Sequence, residues 1–448
     1  MKKFLNHSIF LLVVFFGLHC GDHTSPVPTG PVAASTVPFK VPELPGQAFS
    51  DALAKNPDRV SVISGAGPGG LTAAIALNKT GRFDHIIVVE KRTQFARNNT
   101  VSIQPMSYPM LKHLGLAEKF KQEAVFSQHV RFFEKTAQTG RFEQIGGAFP
   151  GLPESLDYTQ SVNDVFKNDL WPHYFIELHK LQTFLAKEAT ALSNVVLIHG
   201  EIEILDSEKP ADQRRSVRVK SSSPAYSDFL IQRPNLIVVA EGTKSKTRTD
   251  LRFKMVRSPG LENQHWCSGV VSLNGALKKA EVRGHISLVV DRTRGRFSFG
   301  IFRPATGDLF VNGKIKNENA GRETLDECMK RNAYDILKHE APFLNIRMPA
   351  SRNDIVLPAD QSTLIGIEPL RAERITDGSN LVLLGDAAAG WSPLGGIGAS
   401  FTLSLYPHAL MTLTESLNGS PAERAAALDA YGRRVQEIID FWHFARKA

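Results

Sequence analysis

The sequence predicts an α/β fold: a parallel sheet flanked by helices, a mainly β unit inserted late in the chain, and helices at the C-terminus. Three observations carry this. Val60-Ser61-Val62-Ile63-Ser64, a glycine-rich turn, an Ala/Leu-rich segment and His85-Ile86-Ile87-Val88-Val89-Glu90 follow one another as strand, turn, helix and strand, the order of a βαβ unit. Leu236-Ile237-Val238-Val239-Ala240 is an unbroken apolar run, the mark of a strand buried on both faces. From residue 252 the pattern changes to short strand-like runs separated by Gly, Asn and Asp.

With 448 residues, 42% of them apolar, the chain is long enough for two domains or one large composite domain. The net charge of +8 is spread along the sequence without a long Lys/Arg block or an aromatic-basic RNA motif, which argues against a nucleic-acid partner. No cysteine or histidine spacing suits a metal, and none is expected. Met1-Lys2-Lys3, the apolar stretch from Ile9 to Leu18 and then Cys20 have the layout of a bacterial export signal, too short for a spanning helix. Gly17-Leu18-His19-Cys20 resembles a lipoprotein signal box, which implies a lipid anchor at Cys20 and a membrane-anchored lipoprotein. A simple cleaved signal with a periplasmic product and an uncleaved anchor are the alternatives. The start lacks a twin-arginine pair, so an exported chain would cross unfolded. Residues 21–56, rich in Pro, Ser, Thr and Gly, read as a tether with no core of its own. After Cys20 only Cys267 and Cys328 remain. They could pair in an oxidising compartment or stay as two isolated buried thiols.

Residues 57–251 form the first part of the expected cofactor domain. In Gly65-Ala66-Gly67-Pro68-Gly69-Gly70 the missing Cβ permits a tight turn at Gly65, lets the backbone at Gly67 approach a diphosphate, and lets the helix pack closely at Gly70. The diphosphate would rest on the helix N-terminus, where free N–H groups and the helix dipole favour negative charge. Glu90 ends the second strand about 20 positions on, where a ribose hydroxyl needs an acceptor. Lys91-Arg92-Thr93-Gln94-Phe95-Ala96-Arg97-Asn98-Asn99 follows, and its guanidinium and amide groups can reach adenosine and diphosphate oxygens. The stretch is similar to one in the flavin monooxygenase module of MICAL proteins. That likeness implies FAD contacts around Glu90, Lys91, Arg92, Arg97 and Asn99.

Tyr174 to Leu192 has helical apolar spacing, with Ile176, Leu181, Leu185 and Ala189 on one side, and Val195-Val196-Leu197-Ile198 reads as a strand. Leu178 to Leu185 is similar to the helix that in flavin hydroxylases begins with a flavin-facing arginine, and His179 occupies that place. Glu241-Gly242-Thr243-Lys244-Ser245-Lys246-Thr247-Arg248 resembles the Asp-Gly fingerprint of flavoprotein hydroxylases, tied to FAD and nicotinamide binding, with Glu241 in place of the aspartate. Residues 252–377 form the expected substrate domain. His285 to Val290 and Arg296 to Phe302 read as strands, and Leu325, Met329, Ala333, Ile336 and Leu337 place an amphipathic helix near residues 322–340.

Residues 378–448 return to the cofactor domain. Asn380 to Leu384 reads as a strand, and Gly385-Asp386 followed by Pro393, Gly395, Gly396 and Gly398 resembles the second motif of group A flavoprotein monooxygenases. By that resemblance the aspartate holds the ribityl chain, and the glycine-rich helix start faces the pyrimidine edge of the flavin. Ala389 and Ser400 stand where that family frequently has histidine and asparagine. Pro421 to Arg446 reads as a terminal helix with Leu428, Tyr431, Val435, Ile438 and Ile439 on one side.

The motifs together imply a Rossmann-like FAD-binding domain of the GR2 type, a mainly β substrate domain and C-terminal helices. They imply an FAD-dependent monooxygenase in which NADPH or NADH reduces FAD and oxygen is delivered to an electron-rich carbon or sulfur of a small molecule or protein side chain. No general acid or base is assigned. A dehydrogenase or reductase on the same fold is the alternative, as is a non-catalytic FAD-binding lipoprotein. The Trp-x-Trp-x-Ile-Pro segment usual in flavin halogenases is absent.

Overall fold

Runs of Val, Ile and Leu without a polar face can be satisfied only between other strands and helices, and they set the centre of the molecule. The computed structural model describes residues 35–40, 42, 46–97, 99–126, 129–135, 142–145, 174–205, 213–223, 226–257, 264–273, 285–291, 296–303, 308–315, 323–344, 346–359, 362–368, 370–390 and 397–445. Val195–Ile204, His85–Glu90, Val60–Ser64, Leu236–Val239 and Leu381–Leu383 lie side by side in that order as a parallel sheet. Antiparallel strands Val217–Ser221 and Phe229–Ile231 extend it beyond Val195–Ile204. The helix Pro68–Lys79 starts directly after the glycine turn, with Pro68 where a missing N–H is harmless. Every residue from Gly70 to Leu77 is buried. The helix is enclosed by the sheet, by helix Leu178–Thr190 and by helix Leu405–Glu415, which suits a segment with no polar face.

A second sheet has the order Ser362–Ile367, Gln264–Ser272, Asp308–Ile315, Arg296–Arg303, His285–Asp291, His129–Lys135 and Phe142–Ile145. The last two strands precede residue 252, so the β-rich unit is assembled from two separate segments of chain. The two-residue period gives this sheet two unlike faces. Cys267, Val271, Phe302, Leu309 and Val311 pack with Met329, Ala333, Ile336 and Leu337 of helix Leu325–Leu344. Trp266, Val270, Phe297, Ile301 and Phe310 form a separate cluster on the other face. Thr324 and Glu327 cap the helix reciprocally: Thr324 N donates to the Glu327 carboxylate at 2.7 Å, and Glu327 N donates to Thr324 Oγ1 at 3.2 Å. Of the two states open to the cysteines, the paired one is found. A Cys267–Cys328 disulfide, with Cα atoms 6.1 Å apart, fastens the helix to the sheet.

Two expectations change. Tyr174–Glu177 is a strand, and the helix begins only at Leu178. Pairing with Thr100–Ile103 buries Tyr174, Phe175 and Ile176, and these sheet partners override the local helical spacing. The tether expected over residues 21–56 also ends early. From Ser35 the chain belongs to the fold: Ser35–Thr36 pairs with Gln94–Phe95, Lys40 bridges to Leu197, and helix Gly46–Ala54 buries Phe49 and Leu53 beside strand Phe229–Ile231. Residues 1–34, with Cys20, lie outside the described residues. Among the described residues no helix is long and apolar enough to cross a membrane. The terminal helix Pro421–Ala445 buries Leu428, Tyr431, Val435 and Ile439.

Candidate cofactor site

The parallel strands end together, and the turns leaving their carboxyl ends define a cleft, the usual place for a ligand in an open α/β sheet. Gly65 follows the first strand with φ +100°, and a Cβ there would stand 2.6 Å from the Ala240 carbonyl oxygen. At Gly70 a Cβ would stand 1.9 Å from the Gly65 carbonyl oxygen, so the helix can lie this close to the turn only with glycine. Gly67 differs: a Cβ would meet no protein atom nearer than 4.0 Å. The space its missing side chain leaves belongs to the cleft and forms a cradle at the start of helix Pro68–Lys79.

Glu90 is buried, and both its carboxylate oxygens already accept backbone bonds, from Ala66 N at 2.7 Å and Arg92 N at 2.9 Å. Each oxygen keeps a second lone pair for a sugar hydroxyl. Glu241 is more fully committed. It accepts from Ser64 Oγ at 2.6 Å, Ser245 Oγ at 2.7 Å, Thr247 N at 2.9 Å and Thr247 Oγ1 at 2.5 Å. The longer side chain thus ties the first strand's end to its own loop. Buried Arg248 carries the connection onward, donating to Thr243 O at 2.6 Å and Ala387 O at 3.1 Å. Burial lowers its pKa, and the Glu241 charge opposes that.

Asp386 lines the cleft and is exposed to it, while protein atoms crowd around its carboxyl. This crowding raises the carboxyl from 3.8 to about 6, and the charge of Arg97 acts in the opposite direction. Arg97 and Asp386, far apart in sequence, therefore share one field. The loop bearing Arg97 rests on a helix start: Leu178 N donates to Asn99 O at 2.9 Å and His179 N to Arg97 O at 3.1 Å.

A cleft of about 1240 Å³ joins these groups. Gly65, Gly67, Pro68, Gly69, Glu90, Lys91, Arg92, Arg97, Asn99, Gly385, Asp386 and Gly398 line it. Ala66 and Gly70 sit behind the surface, one as a donor to Glu90 and the other as a packing contact. Pro393, Gly395 and Gly396 lie outside the described residues. The expectation for His179 is corrected. Leu178 and Gln182 line the cleft, whereas the buried His179 ring lies with Nε2 3.5 Å from a Glu177 carboxylate oxygen. Burial lowers the His179 pKa, with Glu177 acting against it. Ser400 is also buried, accepting from Gln104 N at 2.9 Å. No cluster suited to a metal is present among the described residues.

The opposite wall comes from the second sheet. Register places Phe299 beside Asn312, Asn312 beside Ser268, and Ser268 beside Thr363, a row across four strands. All four line the cleft. Asn312 is 7% exposed, and its Oδ1 has no hydrogen-bond partner among the described residues. Sequence reasoning missed Gln182, Ser268, Asn312 and Thr363. Single polar residues in strands carry no local mark, and their grouping exists only through strand register.

The cradle at Gly67, the acceptors on Glu90 and Asp386 and the guanidinium groups of Arg92 and Arg97 suit a ligand with a diphosphate and polyhydroxyl chains, and so fit FAD. Gly67→Val should leave the apoprotein's urea midpoint nearly unchanged and yield a colourless protein. Gly70→Ala should cost about 1–3 kcal/mol of stability by forcing backbone apart; equal effects of the two changes on stability would sink this division of roles. Because the folded-state pKa of Asp386 is raised, the folded form binds its proton more tightly. The associated stability is present below pH 3.8 and lost as pH rises through about 6. Apoprotein melts across that window should show Asp386→Asn gaining on the wild type as pH rises, and parallel curves would refute the shift.

A family profile described as FAD binding domain matches residues 59–440. The chain is 27% identical over 207 residues to FAD-dependent monooxygenase olcE of Penicillium canescens, a match spanning 45% of this chain and 37% of that protein's length. Among solved structures it resembles p-nitrophenol 4-monooxygenase PnpA of Pseudomonas putida DLL-E4, with TM-score 0.59 and 17% identity over 86% of this chain and 88% of the other. It also resembles PqsL of P. aeruginosa in complex with 2-aminobenzoylacetate, with TM-score 0.60 and 18% identity over 86% and 94%. The flavin-dependent halogenase CmlS gives TM-score 0.62 and 16% identity over 85% of this chain and 62% of the other. At these identities the solved structures speak for the fold, while the profile match spans most of the sequence: the chain belongs to the FAD-binding-domain family of group A flavoprotein monooxygenases.

Proposed function

We propose that this protein is an FAD-dependent monooxygenase that uses NADPH or NADH and dioxygen to oxygenate a flat, largely apolar small molecule at an electron-rich carbon or sulfur. The observation that carries the reading is the pairing of walls in one cleft. The glycine turn, Glu90, Arg97 and Asp386 stand on one side, and the row from Phe299 to Thr363 stands on the other, with Asn312 Oδ1 left without a partner among the described residues. Bound FAD would supply hydride acceptance and electron transfer to dioxygen. The chain's own residues bind, orient and exclude water. Backbone N–H groups at the start of helix Pro68–Lys79 hold the diphosphate, with Arg92 and Arg97 beside it. Glu90 accepts from the ribose and Asp386 from the ribityl chain. Phe299 and Ile365 cover the far side with apolar surface, which strengthens polar interactions inside. A buried carbonyl oxygen such as Asn312 Oδ1 is costly until something donates to it, so a substrate with one hydroxyl or amine donor on an apolar ring is favoured.

Purified FAD-loaded protein should consume NADPH or NADH and take up oxygen in a screen of phenols and aromatic amines, with labelled oxygen entering the product. Asn312→Leu should raise KM about tenfold or more for hydroxyl-bearing substrates while leaving flavin content unchanged. Flavin reduction without oxygen incorporation for any substrate would favour a reductase, and failure of nicotinamide to bleach bound flavin would favour a binding module.

The buried Cys267–Cys328 link supports folding in an oxidising compartment, and the N-terminal signal supplies a route there, with Cys20 as the lipid attachment point. Mass spectrometry of the mature N-terminus should find lipid-modified Cys20, and protease should reach the protein once the outer envelope is opened. Recovery of intact Met1 on the cytoplasmic side would overturn this placement.

A further inference from the structure

The described residues of the loop from Lys91 to Asn99 are largely solvent-facing, and Phe95, at 2% exposure, is the buried one among them. The loop carries two arginines, whose long side chains have many rotamers to lose on binding. Such groups contribute to affinity when the backbone beneath them is already fixed.

The structure shows what fixes it. Ser35–Thr36 pairs antiparallel with Gln94–Phe95, Ser35 opposite Phe95. Val37, almost fully buried, donates its N–H to Thr93 O at 2.9 Å. The Phe39 ring lies 5.0 Å from the His199 ring, and His199 Nε2 lies 3.1 Å from the Lys91 carbonyl oxygen. The segment therefore touches the middle of the loop directly and its beginning through His199. It is anchored in turn to the rigid body of the domain. Lys40 and Leu197 exchange backbone bonds of 2.9 and 3.2 Å, Lys40 Nζ donates to Leu192 O at 2.7 Å, and Ser35 Oγ lies 2.5 Å from Thr183 Oγ1.

We propose that residues 35–40 are a positioning strap for the cofactor: by adding a strand to the loop that bears Arg92 and Arg97, they hold both guanidinium groups ready for the FAD phosphates. The inference rests on the reading of that loop as an FAD contact. It gives the Ser35–Lys40 segment a task in binding as well as in covering a sheet edge. Val37 and Phe39 act through the loop and touch no reacting group.

The test uses the full-length chain as apoprotein, titrated with FAD and followed by flavin fluorescence, with hydrogen exchange of residues 92–97 as a second readout. Val37→Pro removes the donor to Thr93, and Phe39→Ala removes the ring against His199. Ser50→Ala is the control, because its hydroxyl donates to Leu230 O at the far edge of the sheet. Val37→Pro and Phe39→Ala should each weaken FAD binding about tenfold and speed exchange in the loop, and Ser50→Ala should do neither. If Val37→Pro does not fold, Phe39→Ala decides alone. Arg92→Ala and Arg97→Ala examine the underlying reading: if they weaken FAD binding and the strap variants do not, the strap is refuted and the site stands. If the arginine variants bind FAD as the wild type does, the loop is no FAD contact and the strap falls with it. An equal loss in Ser50→Ala would assign the effect to general stability and likewise overturn the proposal.

Discussion

The close contact between Gly70 and the Gly65 carbonyl is the constraint on which the rest of the cofactor domain depends. It lets helix Pro68–Lys79 lie against the end of the first strand, so that the turn between them points its backbone N–H groups into the cleft. A side chain at position 70 would push the helix away and take those donors with it. The apolar composition of the helix follows from the same geometry. With the sheet on one side and two helices on others, no face is left for a charged residue.

Around that turn, polar side chains join strand ends that backbone pairing alone would leave loosely related. Glu241 collects donors from Ser64, Ser245 and Thr247, and Arg248 reaches across to the turn at Ala387. Such charge-assisted bonds within a buried network are stronger than neutral ones and unforgiving of a missing partner. They fix where the Gly385–Asp386 turn stands relative to the first glycine turn. Asp386 opens onto the cleft, and the protein crowded around its carboxyl raises its pKa.

The second sheet serves two masters by alternation. One face is closed by helix Leu325–Leu344 and its disulfide, which makes the sheet a stiff plate. The other face is free to carry aromatic rings with a polar row set among them. The glycine at position 313, over which Asn332 lies, lets the helix approach closely enough to close the first face.

Local patterns determined much of this. The βαβ unit, the buried run at Leu236, the Gly385-Asp386 turn and the stripe on the Leu325 helix depend on residue type at fixed short spacings, because φ freedom, side-chain period and helix-end donors act over a few residues. Tertiary structure alone decided the rest. Tyr174–Glu177 became a strand because Thr100–Ile103 was there to pair with it, and the Pro-rich leader turned into structure at Ser35 because an open loop and a sheet edge waited for it. The side chain of His179 is buried beside Glu177, while Leu178 and Gln182 line the cleft, a difference the sequence does not show. The row of Asn312, Ser268 and Thr363 exists only through register between strands tens of residues apart, a quantity set by the packing of whole sheets and written in no single segment.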